Sequence, residues 1–327
     1  MTVSRVPADI LRTIAEVIRT NHDFAVTTHV RMDGDAVGCL IAFSEILQSL
    51  GKNVCMVNNT RVPDTYEFMV DKGEILPACP FKPEVVFALD CANAERLGLD
   101  LKEAGEAMII NIDHHPTNTL YGAVNWVDGS APCVGEMLLD LFTALKLNLS
   151  ARAADSLYIS LLTDTGRFSF TNTSCRAFAA AGKLCSLGVN PGELAAEVYF
   201  MKSPAKMKFF SVVYGSLEFS EDYLIAYISV TERQLAEYGL TVYDTQELSD
   251  IPRNSRPSEL GIFFLETNSG ETRVSFRSKS FFDCSELAAC FGGGGHRSAS
   301  GATVRLPLAE ARKAVLQKAS ELQRRGK

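Results

Sequence analysis

The amino-acid sequence predicts an α/β protein with a larger parallel-sheet domain, a helical linker and a smaller α/β domain with a mixed sheet. Its 327 residues suggest two domains rather than one. In the first half, short apolar runs alternate with helical patterns, as they do in βαβ units. The second half contains a hairpin pattern. We place the parallel-sheet domain at residues 1–188, the linker at 189–219 and the second domain at 220–327.

The first domain is predicted from strands that alternate with helices, after an amphipathic helical pattern at the start of the chain. The runs "EVVFALD" and "AMIINID" are apolar almost throughout, which is typical of parallel strands buried on both faces. Strands are predicted at residues 24–29, 53–58, 84–90 and 107–113. Helices are predicted at residues 35–51, 133–147, 151–163 and 174–187.

The pattern changes after residue 187. Prolines and glycines interrupt helical stretches in residues 188–216, which we interpret as one or two linker helices. The segment 259–279 has two strand-like runs around Asn268-Ser269-Gly270, a hairpin signal. The other predicted elements are a strand at 223–230, a helix near 231–239, a short helix from 284, a strand from 301 and a terminal helix.

Composition excludes several classes of protein. With 32 basic and 39 acidic residues the net charge is −7, which argues against a broad basic face for long duplex nucleic acid. A small anionic substrate stays open. Nine cysteines without a C-x-x-C pair predict reduced thiols rather than a disulfide framework. No apolar run approaches the ~18 residues of a membrane span. We expect a cytoplasmic protein without a membrane partner.

Acids and histidines cluster where apolar runs of the first domain end. Parallel strands share the edge at which their carboxyl ends meet, and ligands of open α/β sheets bind there. The motifs that follow strands directly should therefore converge, although they are ~80 residues apart in sequence. The residues concerned are His29, Asp33, Asp35, Asp90, Asp113, His114 and His115, with Asp164 after a further apolar run.

Each motif alone has a simpler explanation. A lone aspartate usually caps a helix or forms a turn, and Asp35 could cap the helix that follows it. Adjacent histidines could be a hydrogen-bonded buried pair. Together, however, so many carboxylates would repel one another, and a pair of divalent cations would remove the repulsion. Oxygen and imidazole ligands suit Mn²⁺, Mg²⁺ or another six-coordinate ion. Asp90, alone on its strand, is the natural bridging carboxylate.

The glycine run "GGGGHRSASG" at residues 292–301 is the second candidate site. No Lys-Ser or Lys-Thr pair follows its glycines, so it is not a Walker A loop. Glycines let backbone amides approach an anion, although most such runs are flexible turns. Upstream, alternation places Arg273, Ser275 and Arg277 on one face of a strand. A solvated sheet edge would show the same alternation.

Five motifs in a fixed order resemble the DHH phosphoesterase superfamily, in its branch of nanoRNases and pAp phosphatases that carry a DHH-associated C-terminal domain. The resemblance covers nearly the whole chain. Met32 and Cys39 depart from the usual pattern, and there we expect altered loop stiffness and packing rather than lost chemistry. The motifs are "THVRMDGDAVG", "ALDCAN", "IDHHPTN", "TDTGRF" and "FRSKSFFDCSELAACFGGGGHRSASGA".

The resemblance implies a role for each residue of both candidate sites. One metal would be held by His29, Asp33 and Asp90, and a second by Asp35, Asp90, His114 and Asp164. His115 would meet the substrate phosphate, and Asp113 would orient an imidazole. The substrate contacts implied in the second domain are Arg277, Ser278, Gly293, Gly294, Gly295 and His296, while Arg273 stays undecided.

The reaction expected from this resemblance is metal-assisted hydrolysis of phosphoesters. Two Mn²⁺ ions are the expected cofactors, with Mg²⁺ or Co²⁺ as alternatives. The expected substrates are short oligoribonucleotides and the nucleotide bisphosphate pAp, held in a cleft between the domains. A homodimer is left open. Three rival functions are a hydrolase of the linear dinucleotides formed in cyclic-dinucleotide turnover, a RecJ-like exonuclease and a non-catalytic nucleotide sensor.

Overall fold

A six-stranded parallel sheet forms the centre of the first of two units. The structure, a computed structural model, describes residues 6–325, and the chain divides between Met201 and Lys202. The strands are β1 Asp23–Thr27, β2 Asn53–Val57, β3 Ile75–Leu76, β4 Val85–Leu89, β5 Met108–Asp113 and β6 Val124–Val127. Their order across the sheet is β3-β2-β1-β4-β5-β6, and each neighbouring pair is parallel.

Seven helices accompany this sheet in the described part of the first unit. The amphipathic pattern at the start of the chain becomes the first of them, and its first five residues lie outside the described residues. The helices are α1 Ala8–Thr20, α2 Gly34–Ser49, α3 Leu101–Ala104, α4 Val134–Ala144, α5 Ala151–Asp164, α6 Cys175–Ser186 and α7 Pro191–Tyr199. Short 3-10 helices lie at Asp64–Met69 and Ala94–Arg96.

The second unit is built on a mixed six-stranded sheet. The strands are β7 Glu218–Phe219, β8 Ile225–Thr231, β9 Leu260–Glu266, β10 Thr272–Ser278, β11 Gly294–Gly295 and β12 Ala299–Val304. Their order is β11-β12-β10-β9-β8-β7; β8 and β9 are parallel and the other pairs antiparallel. The helices are α8 Pro204–Gly215, α9 Glu232–Glu237, α10 Cys284–Ala289 and α11 Leu308–Arg325, with 3-10 helices at Val242–Asp250 and Pro252–Asn254.

The predicted fold class is confirmed: one unit has a parallel sheet, and the other is an α/β unit with a mixed sheet. The hairpin predicted in residues 259–279 is the pair β9–β10. The predicted linker contains α7 and α8, of which α7 belongs to the first unit and α8 to the second. The boundaries at 188 and 219 stay a prediction. Within residues 6–325, no helix is long and apolar enough to cross a membrane.

Helix α2 lies unusually close to α5 because glycines face the contact. A Cβ atom built on Gly38 would overlap the backbone oxygen of Ser156, and one built on Gly34 would overlap the side chain of Thr163. The α2 segment is also almost entirely buried, with apolar residues on all sides. Since protein interiors are close-packed, the two helices cannot separate to admit a larger residue without losing contacts.

We expect Gly38→Ala to lower the free energy of unfolding by about 1–3 kcal/mol, because the added methyl meets backbone rather than a flexible side chain. Unfolding by urea in the presence of a metal chelator measures this free energy for wild type and variant. The matched control is Gly182→Ala in α6, where an added Cβ has nothing within 4 Å. It should leave stability equal or raise it by up to about 1 kcal/mol, since alanine favours helix. Equal effects at the two positions would contradict this account of the packing.

Candidate metal centre

The predicted site residues of the first unit meet at the carboxyl ends of three neighbouring strands. Asp90 follows β4 directly, His29 lies two residues beyond β1, and His114 follows β5. Strand β2 lies next to β1 on one side, and β4, which comes later in the chain, lies next to β1 on the other side. The cluster therefore lies at a topological switch point, where a crevice forms in open α/β sheets.

Asp90 is the centre of the cluster. Its Oδ2 lies 3.4 Å from His29 Nε2, while its Oδ1 lies 3.7 Å from His114 Nε2 and 3.6 Å from His115 Nδ1. Three imidazoles thus surround one carboxylate whose side chain is only 2% exposed. The two oxygens face different histidines, so this carboxylate is placed to contact two cations at once.

The backbone at Asp90 is held in an unfavourable conformation. Its φ of 50° lies in the left-handed region, which non-glycine residues rarely adopt. The amide of Asp90 donates to the carbonyl of Ile112 in the neighbouring strand, at 3.0 Å. Its buried Oδ1 has no hydrogen-bond partner among the described residues. Strained backbone and an unsatisfied buried oxygen together mark a functional position rather than a packing position.

Backbone carbonyls orient two of the histidines. Nδ1 of His29 lies 2.9 Å from the carbonyl oxygen of Val30, and Nδ1 of His114 lies 3.3 Å from that of Ala131. A carbonyl accepts only from a protonated nitrogen, so these contacts favour the tautomer in which Nε2 carries the lone pair. Both Nε2 atoms face carboxylates. A hydrogen bond from Nδ1 to a backbone carbonyl is the usual second contact of an imidazole that binds a metal through Nε2.

His115 is oriented differently. Its Nδ1 lies 2.8 Å from Oδ1 of the fully buried Asp113, and the other oxygen of Asp113 accepts from Nδ2 of Asn118 at 2.6 Å. Asn118 Nδ2 also donates to Oδ1 of Asn111, at 2.7 Å. A chain of hydrogen bonds therefore fixes Asp113, and Asp113 fixes the ring of His115.

Three further acids, Asp33, Asp35 and Asp164, reach the cluster from helices α2 and α5. Asp33, not Asp35, caps α2: its Oδ1 accepts from the amide of Ala36 at 3.1 Å, so the capping alternative considered for Asp35 is wrong. Asp35 is buried in the first turn of that helix. Asp164 is the last residue of α5 rather than the end of a strand, and its Oδ2 lies 3.5 Å from His114 Nε2.

These residues form three overlapping groups whose candidate ligand atoms lie within 4.8 Å of one another. One group is the set that the resemblance implies for the first metal, and another contains three of the four residues implied for the second, without Asp90. The structure brings every predicted metal-ligand residue of the first unit into one cluster, and which of them bind a cation stays a prediction. The groups are His29, Asp33 and Asp90; Asp35, His114 and Asp164; and Asp90, His114 and His115.

The charges of the cluster shift the pKa values of its members. Burial raises the pKa of Asp35 to about 6, and repulsion from Asp90 adds to the shift. Burial lowers the pKa of His114, but the carboxylates of Asp164, Asp90 and Asp35 outweigh that effect and raise it to about 9. Without cations, protonated histidines therefore offset the buried carboxylates. A bound divalent cation would replace those protons.

The residues present fit a divalent cation. They offer imidazole nitrogens and carboxylate oxygens, the donor set that suits six-coordinate ions. The nearby thiols of Cys39 and Cys133 are buried, and burial raises both of their pKa values well above the ordinary range. Neutral thiols are poor metal ligands, since the thiolate is the binding form.

The predicted substrate residues lie in the second unit. Arg277 ends the exposed-side alternation of β10; its side chain is 28% exposed and its Nε lies 3.7 Å from Asp250 Oδ1. Ser278 is buried, and its hydroxyl donates to the carbonyl of Arg297 at 3.4 Å. Gly294 and Gly295 form the edge strand β11, and His296 begins the turn into β12. Contact of these residues, Gly293 included, with substrate stays a prediction.

Sequence reasoning missed several residues that support the cluster. Asn118 stands within the quoted motif "IDHHPTN", so a polar residue at fixed spacing was an available signal. Ser160 is one of two buried serines in α5, and nothing in the sequence indicates that its hydroxyl donates to Asp35 Oδ1, at 2.5 Å. Val134 and Gly135 add backbone donors to Asp35 from the first turn of α4.

Comparison with known proteins identifies relatives along nearly the whole chain. Residues 23–161 match the DHH family, N-terminal domain, and residues 221–324 match the DHHA1 domain. The bifunctional oligoribonuclease and PAP phosphatase NrnA of Thermus thermophilus is 30% identical over 316 residues, which cover 95% of this chain and 94% of that protein. The protein of the same name from Bacillus subtilis is 31% identical over 281 residues, covering 84% and 87%.

A solved structure has the same fold. The crystal structure of an exopolyphosphatase-related protein from Bacteroides fragilis superposes with a TM-score of 0.88 at 23% sequence identity. The superposition covers 99% of this chain and 98% of that chain. At this level of identity the likeness concerns the fold alone.

We expect Asp90→Asn to remove stabilisation by Mn²⁺. At about 100 times its Kd, a ligand that binds only the folded state adds about 2.7 kcal/mol to the free energy of unfolding. The wild type should gain on this scale, and Asp90→Asn far less, because an amide lacks the negative charge that a carboxylate offers a cation. Chemical unfolding with and without Mn²⁺ measures both. Asp71→Asn, an exposed aspartate of the same unit, should keep the gain. A full gain in Asp90→Asn would refute the central role of Asp90.

Proposed function

The chain belongs to the DHH family of phosphoesterases and is a hydrolase, and from that premise we propose that it hydrolyses short oligoribonucleotides and pAp with the help of bound divalent cations. The observation that carries the proposal is the environment of Asp90. One buried carboxylate has each of its two oxygens directed at a different set of imidazole and carboxylate groups. That arrangement supports a site for two cations rather than one.

The cations we propose are two Mn²⁺ ions. His29, Asp33 and Asp90 would hold the first, and Asp35, Asp90, His114 and Asp164 the second. When bound, such ions lower the pKa of a water molecule and stabilise negative charge on a phosphoryl group. The donor set supports Mn²⁺ because it combines two imidazoles with several carboxylates, whereas Mg²⁺ has a stronger preference for oxygen.

The chain's own residues have separate tasks in this proposal. His115 would donate a hydrogen bond to a phosphate oxygen, since the bond from its Nδ1 to Asp113 turns the opposite edge of the ring outward. Asp113 raises the pKa of His115 through that bond, against the opposing effect of burial. A protonated imidazole is the better donor to a developing negative charge. Asn118 would keep Asp113 in place while charge moves on the substrate.

The substrate class is supported by the names of the relatives. Two proteins that match most of this chain are named oligoribonuclease and PAP phosphatase, and the chain covers 94% and 87% of their lengths. Both substrates present a phosphoester next to a second phosphate. A chain with net charge −7 would bind them through local cations and a few arginines rather than a general basic surface.

The direct test is turnover of an RNA dinucleotide and of pAp by purified protein. We expect Mn²⁺-dependent release of mononucleotides from the first and of inorganic phosphate from the second, with both reactions abolished by a chelator and restored by Mn²⁺. Asp90→Ala should be inactive on both while remaining folded by circular dichroism. Absence of turnover in the metal-loaded wild type would refute the proposed function.

His114 and His115 should differ in what they lose on substitution. His114→Ala should weaken binding of one Mn²⁺ ion, because its Nε2 faces Asp90 and Asp164. His115→Ala should leave Mn²⁺ affinity nearly unchanged and lower kcat by roughly 10²–10³-fold, the scale of losing one charge-stabilising donor. Calorimetric titration with Mn²⁺ and steady-state kinetics on a dinucleotide separate the two. The opposite pattern would exchange their roles.

Arg277 would hold a nucleotide phosphate next to the scissile one, because a guanidinium donates two hydrogen bonds with charge. Arg277→Ala should then lower kcat/KM for a dinucleotide by a factor that corresponds to roughly 1.5–3 kcal/mol of transition-state stabilisation. The loss should be much smaller for a phenyl phosphodiester, which lacks the second nucleotide. Arg273→Ala, four residues earlier on the same face of β10, is the matched control. Equal losses of Arg277→Ala on both substrates would place Arg277 at the reaction centre or in folding instead.

A further inference from the structure

Four hydrogen-bond donors from three helices surround the buried carboxylate of Asp35. Its Oδ1 accepts from Ser160 Oγ at 2.5 Å, from the amide of Gly135 at 3.1 Å and from Cys39 Sγ at 3.1 Å. Among residues 6–325, its Oδ2 accepts a hydrogen bond only from the amide of Val134, at 2.8 Å. The two oxygens of one carboxylate are therefore used very unequally.

The surrounding helices are shaped to make this contact. A Cβ atom built on Gly135 would overlap the hydroxyl of Ser160, and one built on Gly38 would lie 3.1 Å from Ser160 Cβ. Ser160 itself is fully buried among apolar residues of α5. Glycines on two helices thus clear the space that the hydroxyl occupies. The hydrogen bond to Asp35 is needed here, because a buried hydroxyl without a partner would be destabilising.

The unequal use of the two oxygens limits how Asp35 can bind a cation. An ionised carboxylate has about four lone-pair sites, two on each oxygen. Three donors saturate Oδ1, whereas Oδ2 accepts one hydrogen bond and keeps a site. Asp35 can then offer a cation one oxygen, but it cannot offer both at once without breaking hydrogen bonds inside the protein.

We propose that Ser160 is a positioning residue that restricts Asp35 to one-oxygen binding and thereby favours Mn²⁺ or Mg²⁺ over Ca²⁺. The inference rests on the proposed function, in which Asp35, His114 and Asp164 share a cation. Ca²⁺ takes six to eight oxygens and often binds both oxygens of a carboxylate, whereas the smaller ions keep six ligands in a stricter geometry. Ser160 makes the shortest of the three bonds to Oδ1, at 2.5 Å against 3.1 Å for the other two, so its removal should loosen the hold on this oxygen and relax the discrimination between the ions.

Calorimetric titration of the whole protein with Mn²⁺ and with Ca²⁺ tests the proposal without relying on turnover. Ser160→Ala should lower Mn²⁺ affinity about 10–100-fold, the usual effect of removing a partner of a metal ligand. Its Ca²⁺ affinity should stay the same or rise, so the ratio of the two affinities falls. Ser156→Ala is the matched control, since Ser156 lies one turn earlier on α5 and is also buried. It should leave both affinities unchanged.

A second variant separates positioning from a folding defect. Cys39→Ala removes another donor of Oδ1 without touching α5, and it should shift the ratio in the same direction by a smaller factor. Cys39→Ser should restore it, because a hydroxyl donates more strongly than a thiol. Unchanged Mn²⁺ to Ca²⁺ ratios in folded Ser160→Ala, or in Cys39→Ala if Ser160→Ala does not fold, would overturn the inference. A wild type that binds neither ion would instead refute the proposed function.

Discussion

The first unit is organised around a carboxylate that is buried where charge is hardest to accommodate. Asp90 is almost fully inaccessible, yet one of its oxygens has no hydrogen-bond partner among the described residues. A charge in such a place is tolerated only when opposite charge lies close to it. The strand order of the sheet supplies that neighbourhood. Because β1, β4 and β5 are adjacent and parallel, imidazoles that follow β1 and β5 meet the carboxylate that follows β4.

The left-handed backbone of Asp90 is a cost that the sheet can support. Such a conformation costs about 1–3 kcal/mol for a residue with a side chain. The hydrogen bond from its amide to Ile112 continues the pairing of β4 and β5 past the end of β4, so the turn is fixed on both sides. Replacing Asp90 by alanine would keep the strain and lose the charge. The conformation therefore serves the position of the carboxylate.

Compensation of the second buried acid comes from different groups. Asp35 receives the backbone amides of Val134 and Gly135 at the start of α4, where a helix carries partial positive charge. The pKa of Asp35 is still raised, because burial and the charge of Asp90 outweigh the opposing effects of His114 and Ser160. The cluster thus keeps an excess of negative charge that cations can neutralise. The charge of the cluster and the chemistry of its donor atoms thus both fit a divalent cation.

How much of this could be predicted from the sequence depends on the range of the interactions. Fully apolar runs that alternate with helical patterns are a local signal, and they predicted the parallel sheet and the fold class. Convergence of the strand-end motifs followed from parallel topology. The strand β6 and the 3-10 helix Val242–Asp250 are too irregular in pattern to be predicted. The bond between Ser160 and Asp35 joins residues 125 positions apart, and only the packing of the helices shows it.

The glycine run of the second unit shows how structure can divide a motif that looks uniform in sequence. At Gly292 and Gly295 the backbone has positive φ, and a Cβ atom on Gly293 would overlap the carbonyl of Gly301. Backbone conformation and packing therefore account for three of the four glycines. Gly294 lies in the exposed edge strand, without positive φ and with nothing within 4 Å of an added Cβ. Of the four glycines in this run it is the one that neither conformation nor packing explains, and close approach of an anion to the strand edge would explain it.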